Sequence, residues 1–206
     1  MPLLIIVIIF ALFALIHSAL AAGRTKDFAI RLAGQKTVRA FYRFAYVLIS
    51  SVTALAAFYL IARLPDAVIW DPPLPVRIIM SLIQLSGVML GLAAFSGMDF
   101  REFMGVKQTL DYFRGAERPP GDEEGINQRL ITRSLYAHMR HPLYTAGILI
   151  FTFFPVVTRN WLAVSVLADL YFVFGAFVEE RRLVKRFGRQ YRDYMKKTPR
   201  FIPKIR

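Results

Sequence analysis

Long apolar runs separated by polar segments dominate the pattern of hydrophobic and polar positions along this chain. A stretch of about 18 or more apolar residues is typical of a transmembrane helix, because a helix of that length crosses a bilayer core about 30 Å thick. The pattern therefore predicts an all-α integral membrane protein. Five transmembrane helices are expected, at residues 3–22, 41–62, 76–98, 142–157 and 161–178.

The distribution of basic residues predicts how these helices are oriented. Arginine and lysine follow the first helix and recur through residues 99–141 and the C-terminal tail, whereas the loop 63–77 contains only two. Basic residues beside a span favour the cytoplasmic side. We expect the N-terminus outside, the C-terminus in the cytoplasm, and 1–206 to form a single membrane domain with 99–141 as a cytoplasmic loop or lid. A cleaved signal peptide is disfavoured, because no positive charge precedes the first apolar run.

The C-terminal tail combines apolar and basic positions at helical spacing. Leu183, Phe187, Tyr191 and Tyr194 are four, four and three residues apart, which places them on one face of a helix with arginine and lysine on the others. The pattern predicts an amphipathic basic helix that lies along an anionic membrane surface.

Composition changes this picture little. The chain has 206 residues, is 56% hydrophobic and carries a net charge of +13, which is compatible with nucleic acid as well as with lipid. Because the basic tail is interleaved with an apolar stripe and follows a span, we expect membrane lipids as partners and no nucleic acid. The absence of cysteine excludes disulfides, thiolate metal ligands and a cysteine nucleophile.

Ionisable residues gather where the segment 99–141 meets the fourth predicted helix. The last two apolar segments are joined so tightly that they must run antiparallel, which returns two glutamates to the same membrane face as two histidines and an arginine. Ionisable groups at this depth are costly unless they are partnered or used. Interfacial anchoring is the alternative, but we expect an active site here. The residues concerned are His138, Arg140, His141, Tyr144, Glu179 and Glu180.

Two motifs carry a resemblance to a known superfamily. Arg140-His-Pro-x-Tyr-x-x-Gly147 is followed by Glu179-Glu-x-x-Leu and by Pro199-Arg-Phe-Ile-Pro203. This combination resembles the isoprenylcysteine carboxyl methyltransferase superfamily, which also includes phospholipid methyltransferases and, more distantly, sterol reductases. The resemblance covers about residues 130–203. The N-terminal part, with Ile16-His-Ser and Gly105-Val-Lys-Gln108, is similar to the NnrU-type and methanethiol S-methyltransferase branch.

The resemblance implies a membrane-embedded methyltransferase in which residues 130–203 bind S-adenosylmethionine and release S-adenosylhomocysteine. It implies that Arg140 meets the methionyl carboxylate, and that the glutamate pair binds the ribose or amino group. For a weakly acidic acceptor, His138 or Glu180 would serve as general base. The implied cofactor-binding residues are Arg140, His141, Pro142, Tyr144, Gly147, Glu179 and Glu180.

One departure from the superfamily bears on the methyl acceptor. Prenylcysteine enzymes have an arginine about one turn before the glutamate pair, whereas residues 174–177 of this chain are Phe-Gly-Ala-Phe. We therefore expect a small or lipidic acceptor, such as a thiol, an amine or a lipid, rather than a prenylcysteine carboxylate. His17 and Gln108 are weaker candidates for substrate contact, and His17 is equally compatible with a hydrogen-bonded structural role.

Three alternatives remain open. An NADPH-dependent enzyme of the sterol-reductase type would suit the basic loop, and a non-catalytic membrane protein could retain the same pocket. His138, His141 and the glutamates also resemble a non-haem iron set, but such membrane enzymes use many more histidines than the three in this chain, so no metal is expected. We expect a prokaryotic inner membrane with the active site facing the cytoplasm.

Overall fold

Four long apolar helices form the frame of the structure, a computed structural model that describes residues 1–97, 99–116 and 130–203. Each of the four is long and apolar enough to cross a bilayer: α1, α3, α4 and α8 in the order below. The described helices are α1 (Pro2–Ala21), α2 (Gly23–Ala33), α3 (Gln35–Ala62), α4 (Leu74–Ala94), α5 (Phe100–Phe103), α6 (Val106–Phe113), α7 (Pro142–Thr152), α8 (Arg159–Phe187) and α9 (Arg189–Lys197). The chain is therefore an all-α integral membrane protein, which confirms the predicted fold class.

Two of the spanning helices are longer than their apolar runs. α3 begins at Gln35 rather than at residue 41, and α8 continues past residue 178 to Phe187. Both helices extend through polar residues until a glycine with positive φ interrupts them, at Gly34 (φ 79°) and Gly188 (φ 56°). Glu179 and Glu180 consequently lie on a helix that continues beyond them.

α7 is much shorter than the other predicted transmembrane helices, because it contains only 11 residues. At about 1.5 Å per residue its length is about 16 Å, roughly half of a bilayer core. The predicted helix over 142–157 is therefore wrong beyond Thr152. Pro155 follows shortly afterwards and cannot donate a helical hydrogen bond, which explains why the apolar run does not remain helical.

Side chains of the neighbouring helices bind the C-terminal carbonyl groups of α7. Gln84 Nε2 donates to Ile150 O at 3.0 Å, and Ser165 Oγ donates to Phe151 O at 2.7 Å. Trp161 Nε1 donates to the same Phe151 carbonyl at 3.1 Å. The last carbonyls of any helix lack partners within it, and a bilayer core supplies no water to replace them. These side chains therefore make it possible for α7 to end where it does.

A short two-stranded sheet connects two loops of the chain. Strand β1 (Val68–Trp70) pairs antiparallel with β2 (Val157–Thr158), and Val68 lies opposite Thr158. Asp66 Oδ1 accepts from the backbone amides of Ala67 at 2.8 Å and Asn160 at 3.0 Å. These bonds attach the loop before α4 to the start of α8.

The described residues form two compact units, of which the first contains the candidate site. Within it, α4 crosses α7 so closely that a Cβ on Gly87 would lie 2.8 Å from Leu149 Cβ, closer than real Cβ atoms approach. Gly91 sits one turn further along α4, and a Cβ there would meet Ala146 Cβ at an ordinary 3.5 Å. The first unit comprises residues 1–7, 64–97 and 130–203.

The second unit comprises residues 8–63 and 99–116. In this unit α6 packs on α3, where Thr109 Oγ1 donates to Ala40 O at 3.0 Å. Gly105 lies between α5 and α6 with φ 81°, and a Cβ there would be 2.3 Å from Phe44 N. The described part of the predicted loop 99–141 thus contains α5, α6 and a short 3-10 helix, and its residues 117–129 lie outside the described residues.

Candidate active site

The C-terminal segment crosses the start of α7 and fixes the backbone there. The amide of Arg140 donates to Pro199 O at 2.9 Å, and the amide of His141 donates to Arg200 O at 3.0 Å. One turn into α7, Thr145 Oγ1 donates to Phe201 O at 3.1 Å. The motif that begins at Arg140 and the motif 199–203 are far apart in sequence, and backbone hydrogen bonds hold them together.

Glu180 lies at the centre of a buried ionic cluster, with only 5% of its side chain exposed. Its Oε1 accepts from Arg140 Nε at 2.9 Å, from His141 Nε2 at 3.1 Å and from Arg200 Nε at 3.1 Å. Its Oε2 accepts from Arg200 Nη2 at 2.7 Å. A buried charge is tolerated only when it is paired and hydrogen-bonded, and two guanidinium groups meet both conditions.

Arg140 is also fully engaged within the protein. Its side chain is 8% exposed, and its Nη2 lies 2.7 Å from Glu180 Oε1. Its Nη1 donates to the carbonyl groups of Met195 at 2.9 Å and Thr198 at 2.7 Å. Arg140 therefore ties α8 to the last turn of α9 and to the residue that follows it, and its donors face these partners. The adjoining surface cavity is lined by Arg140 together with residues 195–200, 202 and 203.

The ring of His141 has different partners on its two nitrogens. Nε2 faces the buried Glu180, whereas Nδ1 lies 3.8 Å from Oε2 of Glu179, whose side chain is 46% exposed. Burial lowers the pKa of His141 below its ordinary value of 6.5, although the two glutamates oppose this shift. The imidazole is therefore neutral at pH 7, and because a carboxylate only accepts, the proton belongs on Nε2. Nδ1 is then the basic nitrogen, directed to the accessible glutamate.

Aromatic rings continue from His141 along α7 and α8. Tyr144 stacks on His141 with 5.3 Å between ring centroids and an angle of 14° between planes. Phe172 stacks on Tyr144 at 6.0 Å, and Phe201 is tilted against His141 at 6.0 Å. This row gives the site an apolar wall beside its charged cluster.

Three buried or half-buried tyrosines, Tyr136, Tyr191 and Tyr194, lie near the charged cluster. Burial first, and the charge of Glu179 second, raise the pKa of Tyr136 to about 12. Tyr194 donates its hydroxyl to the carbonyl of Tyr136, and burial raises the pKa of both Tyr191 and Tyr194. These phenols remain protonated at any physiological pH, so they act as hydrogen-bonding groups rather than as charges.

The tyrosines of the tail differ from the sequence prediction in one respect. The stripe from Leu183 to Tyr194 is divided between α8 and α9, because Gly188 interrupts the helix. Tyr191 is only 1% exposed, so the apolar face of α9 packs on protein. Arg189, Lys196 and the other basic residues occupy its exposed face.

The other residues predicted for the site, Pro142, Gly147 and His138, differ in how far they are buried. Pro142 is the first residue of α7 and is buried, and Gly147 faces α8, where a Cβ would lie 2.6 Å from the Phe172 ring. His138 is exposed after a short 3-10 helix (Ser134–Ala137). In none of the described ranges do three or more histidine, aspartate or glutamate side chains form a group suited to a metal.

His17 and Gln108 both belong to the second unit. The ring nitrogens of His17 make hydrogen bonds to Ser50 Oγ at 3.0 Å and to the Tyr46 hydroxyl at 2.7 Å. Gln108 is 1% exposed and donates to Glu102 O at 2.8 Å. These contacts give both side chains structural partners, and their predicted contact with substrate stays a prediction.

Arg200 is the residue of the candidate site that sequence reasoning missed. It lies inside the Pro199-Arg-Phe-Ile-Pro203 motif, and the sequence alone gave it no role. Its bond to Glu180 raises its pKa further, and its guanidinium lies 3.9 Å from the centroid of the Phe177 ring. Arg200 is the one charged residue of that motif, and this was the signal that the sequence offered.

Comparison with known proteins identifies the family. The chain belongs to the NnrU protein family, which matches residues 5–200. It is 30% identical to methanethiol S-methyltransferase 1 of Bradyrhizobium diazoefficiens over 95% of this chain and 65% of that protein. It is 30% identical to methanethiol S-methyltransferase of Pseudomonas deceptionensis over 100% of this chain and 74% of that protein, and 28% identical to the Mycobacterium tuberculosis protein of that name. The chain thus spans slightly less than two thirds of the first relative. No solved structure matches it.

Proposed function

We propose that this chain is a membrane methyltransferase that transfers a methyl group from S-adenosylmethionine to a small thiol. The relatives support the reaction class through their names, which specify S-methylation of methanethiol. The observation that carries the proposal is the position of the His141 ring. Its Nε2 is held by Glu180, while its Nδ1 faces the half-exposed Glu179. We place this site on the cytoplasmic side of a prokaryotic inner membrane, because basic residues beside a transmembrane helix favour the cytoplasmic side.

The groups around the site fit S-adenosylmethionine in two respects. Glu179 is exposed enough to accept hydrogen bonds from an amino group or from ribose hydroxyls. The Tyr144 and Phe172 rings offer aromatic surface to a sulfonium, which cation–π attraction favours. Because the donors of Arg140 are already bound, our proposal gives Arg140 the task of positioning Glu180 rather than of binding the methionyl carboxylate.

The mechanism requires that the thiol lose its proton as its sulfur is methylated. When bound, S-adenosylmethionine supplies a methyl group already activated by its sulfonium. His141 Nδ1 accepts the thiol proton, and Glu180 holds the ring through Nε2 in the required tautomer. The positive imidazolium that results is stabilised by Glu179 on one side and Glu180 on the other. The aromatic row beside it excludes water from the reacting atoms.

The first test is calorimetric titration of S-adenosylhomocysteine into the detergent-purified protein. We expect saturable binding with one site per chain. Glu179→Gln should weaken it about 10- to 100-fold, because a hydrogen bond to a charged group contributes about 1.5–3 kcal/mol. Asp193→Asn is the matched control, since Asp193 is a comparably exposed acid on α9.

Each alternative has its own result in that titration. Binding of NADPH without S-adenosylhomocysteine would favour the reductase, and binding of neither would favour a non-catalytic protein. Equal affinity in Glu179→Gln and wild type would show that Glu179 does not contact the cofactor.

The pH dependence of the reaction tests His141 as the base. Only the neutral ring accepts a proton, and burial holds the pKa of His141 below 6.5. We therefore expect kcat/KM to be constant around pH 7 and to fall, as the pH is lowered, through a midpoint below 6.5. His141→Gln should abolish this acid limb together with most of the activity. If His138→Gln removes the limb instead, the exposed His138 is the base and our assignment is wrong.

A further inference from the structure

Gly175 is a helix-interior glycine for which packing gives no reason. A Cβ built on it would meet only the phenol of Tyr144, at 3.7 Å from the hydroxyl and 3.8 Å from the ring carbon that bears it. These are ordinary van der Waals distances. Gly147 contrasts with it, because there a Cβ would lie 2.6 Å from Phe172. Alanine fits at position 175 and does not fit at position 147.

A glycine inside a helix also destabilises that helix relative to alanine, since its backbone loses more freedom on folding. Gly175 lies well within α8 (Arg159–Phe187), and its φ is not positive. Neither steric crowding nor backbone conformation therefore requires glycine here. What glycine does provide is room for about one methyl group beside the Tyr144 hydroxyl.

This space adjoins the proposed reaction centre. Gly175 precedes Glu179 by four residues, so the two lie one above the other on the same face of α8. Tyr144, which borders the space, stacks on His141. Residues at helical spacing on that face, Phe172 and Val178, are apolar, so the surroundings suit an uncharged alkyl group.

We propose that the space at Gly175 holds the alkyl group of the methyl acceptor, and that Gly175 sets the largest thiol the enzyme accepts. This inference rests on the proposed function and specifies it further. The acceptor is a short uncharged alkanethiol, whose terminal methyl group lies over Gly175 and whose sulfur faces the His141 side. Tyr144 limits the depth of the subsite, and Glu179 lies one turn above it.

The test compares wild type with Gly175→Ala in methyl transfer to methanethiol and ethanethiol. One methylene group in a close-fitting pocket discriminates about 10- to 200-fold. We expect the added methyl to lower kcat/KM for ethanethiol by at least about tenfold more than for methanethiol, mainly through KM. Affinity for S-adenosylhomocysteine should be unchanged, and thermal stability should be equal or higher.

Gly91→Ala is the matched control, because it is the same change in a spanning helix, with ordinary 3.5 Å contact and no residue of the site. It should leave the ratio of the two thiols unaltered. An unaltered ratio in Gly175→Ala, with wild type active, would overturn this inference alone. Loss of stability in Gly175→Ala would also overturn it, by making the glycine structural. A wild type that binds S-adenosylhomocysteine but methylates neither thiol would overturn the proposed acceptor class as well.

Discussion

Glu180→Gln is expected to be the most damaging conservative substitution in this chain, lowering the free energy of unfolding by about 3–5 kcal/mol. Glutamine keeps the shape of the side chain but removes the charge that two arginines and a histidine surround. Arg140 would then remain 8% exposed without its counter-ion. Breaking a buried pair on one side is costly because the other charge stays desolvated. Thermal denaturation in detergent, followed by circular dichroism, measures the loss.

The control is Glu179→Gln, the same change at the neighbouring position. Glu179 is about half exposed, and an accessible carboxylate contributes less than about 1 kcal/mol. A double-mutant cycle with Arg140→Met adds a second check. If the two residues depend on each other, the double variant should be much less destabilised than the sum of the single ones. Additive effects would mean that Glu180 and Arg140 do not interact as described.

Gly147→Ala is expected to lower both stability and cofactor affinity through a single steric contact. The new Cβ would lie 2.6 Å from two carbons of the Phe172 ring, so α7 and α8 must separate or the ring must move. Overpacking of this kind costs about 1–3 kcal/mol. Because Phe172 stacks on Tyr144, and Tyr144 on His141, the displacement reaches the site. Thermal denaturation and titration with S-adenosylhomocysteine measure the two effects.

Phe172→Leu tests whether the Phe172 ring is the cause of this effect. In the Gly147→Ala background it removes the ring that the methyl group strikes, and stability should recover in part. Gly91→Ala again serves as the benign substitution of the same kind. Full stability in Gly147→Ala alone would contradict the close contact between α7 and α8.

Sequence patterns predicted the spanning helices because hydrophobicity over about 20 residues is a strong signal. They failed at α7, where the apolar run continues but the helix ends at Thr152. Pro155 is a local reason for the helix to stop, but the donors that satisfy its last carbonyls, Gln84, Ser165 and Trp161, lie elsewhere in the sequence. Asp169, which accepts from Thr152 Oγ1 at 2.7 Å, was overlooked for the same reason.

The sequence predicted which residues lie together in the site better than it predicted which of them contact each other. Helical hairpin geometry was enough to bring His141 and Glu180 together, and the structure pairs them at 3.1 Å. Adjacent glutamates, however, look identical in sequence. Only burial distinguishes the enclosed Glu180 from the accessible Glu179, and burial depends on where the C-terminal segment with Arg200 crosses α7.

The short α7 has a consequence for which parts of the chain can stand alone. Its Phe151 carbonyl takes both of its side-chain donors, Ser165 Oγ and Trp161 Nε1, from α8. Without α8 this carbonyl would lose both donors, which a bilayer core does not tolerate. α7 is therefore not an independent membrane helix, and it is satisfied in a bilayer only as one half of a hairpin with α8.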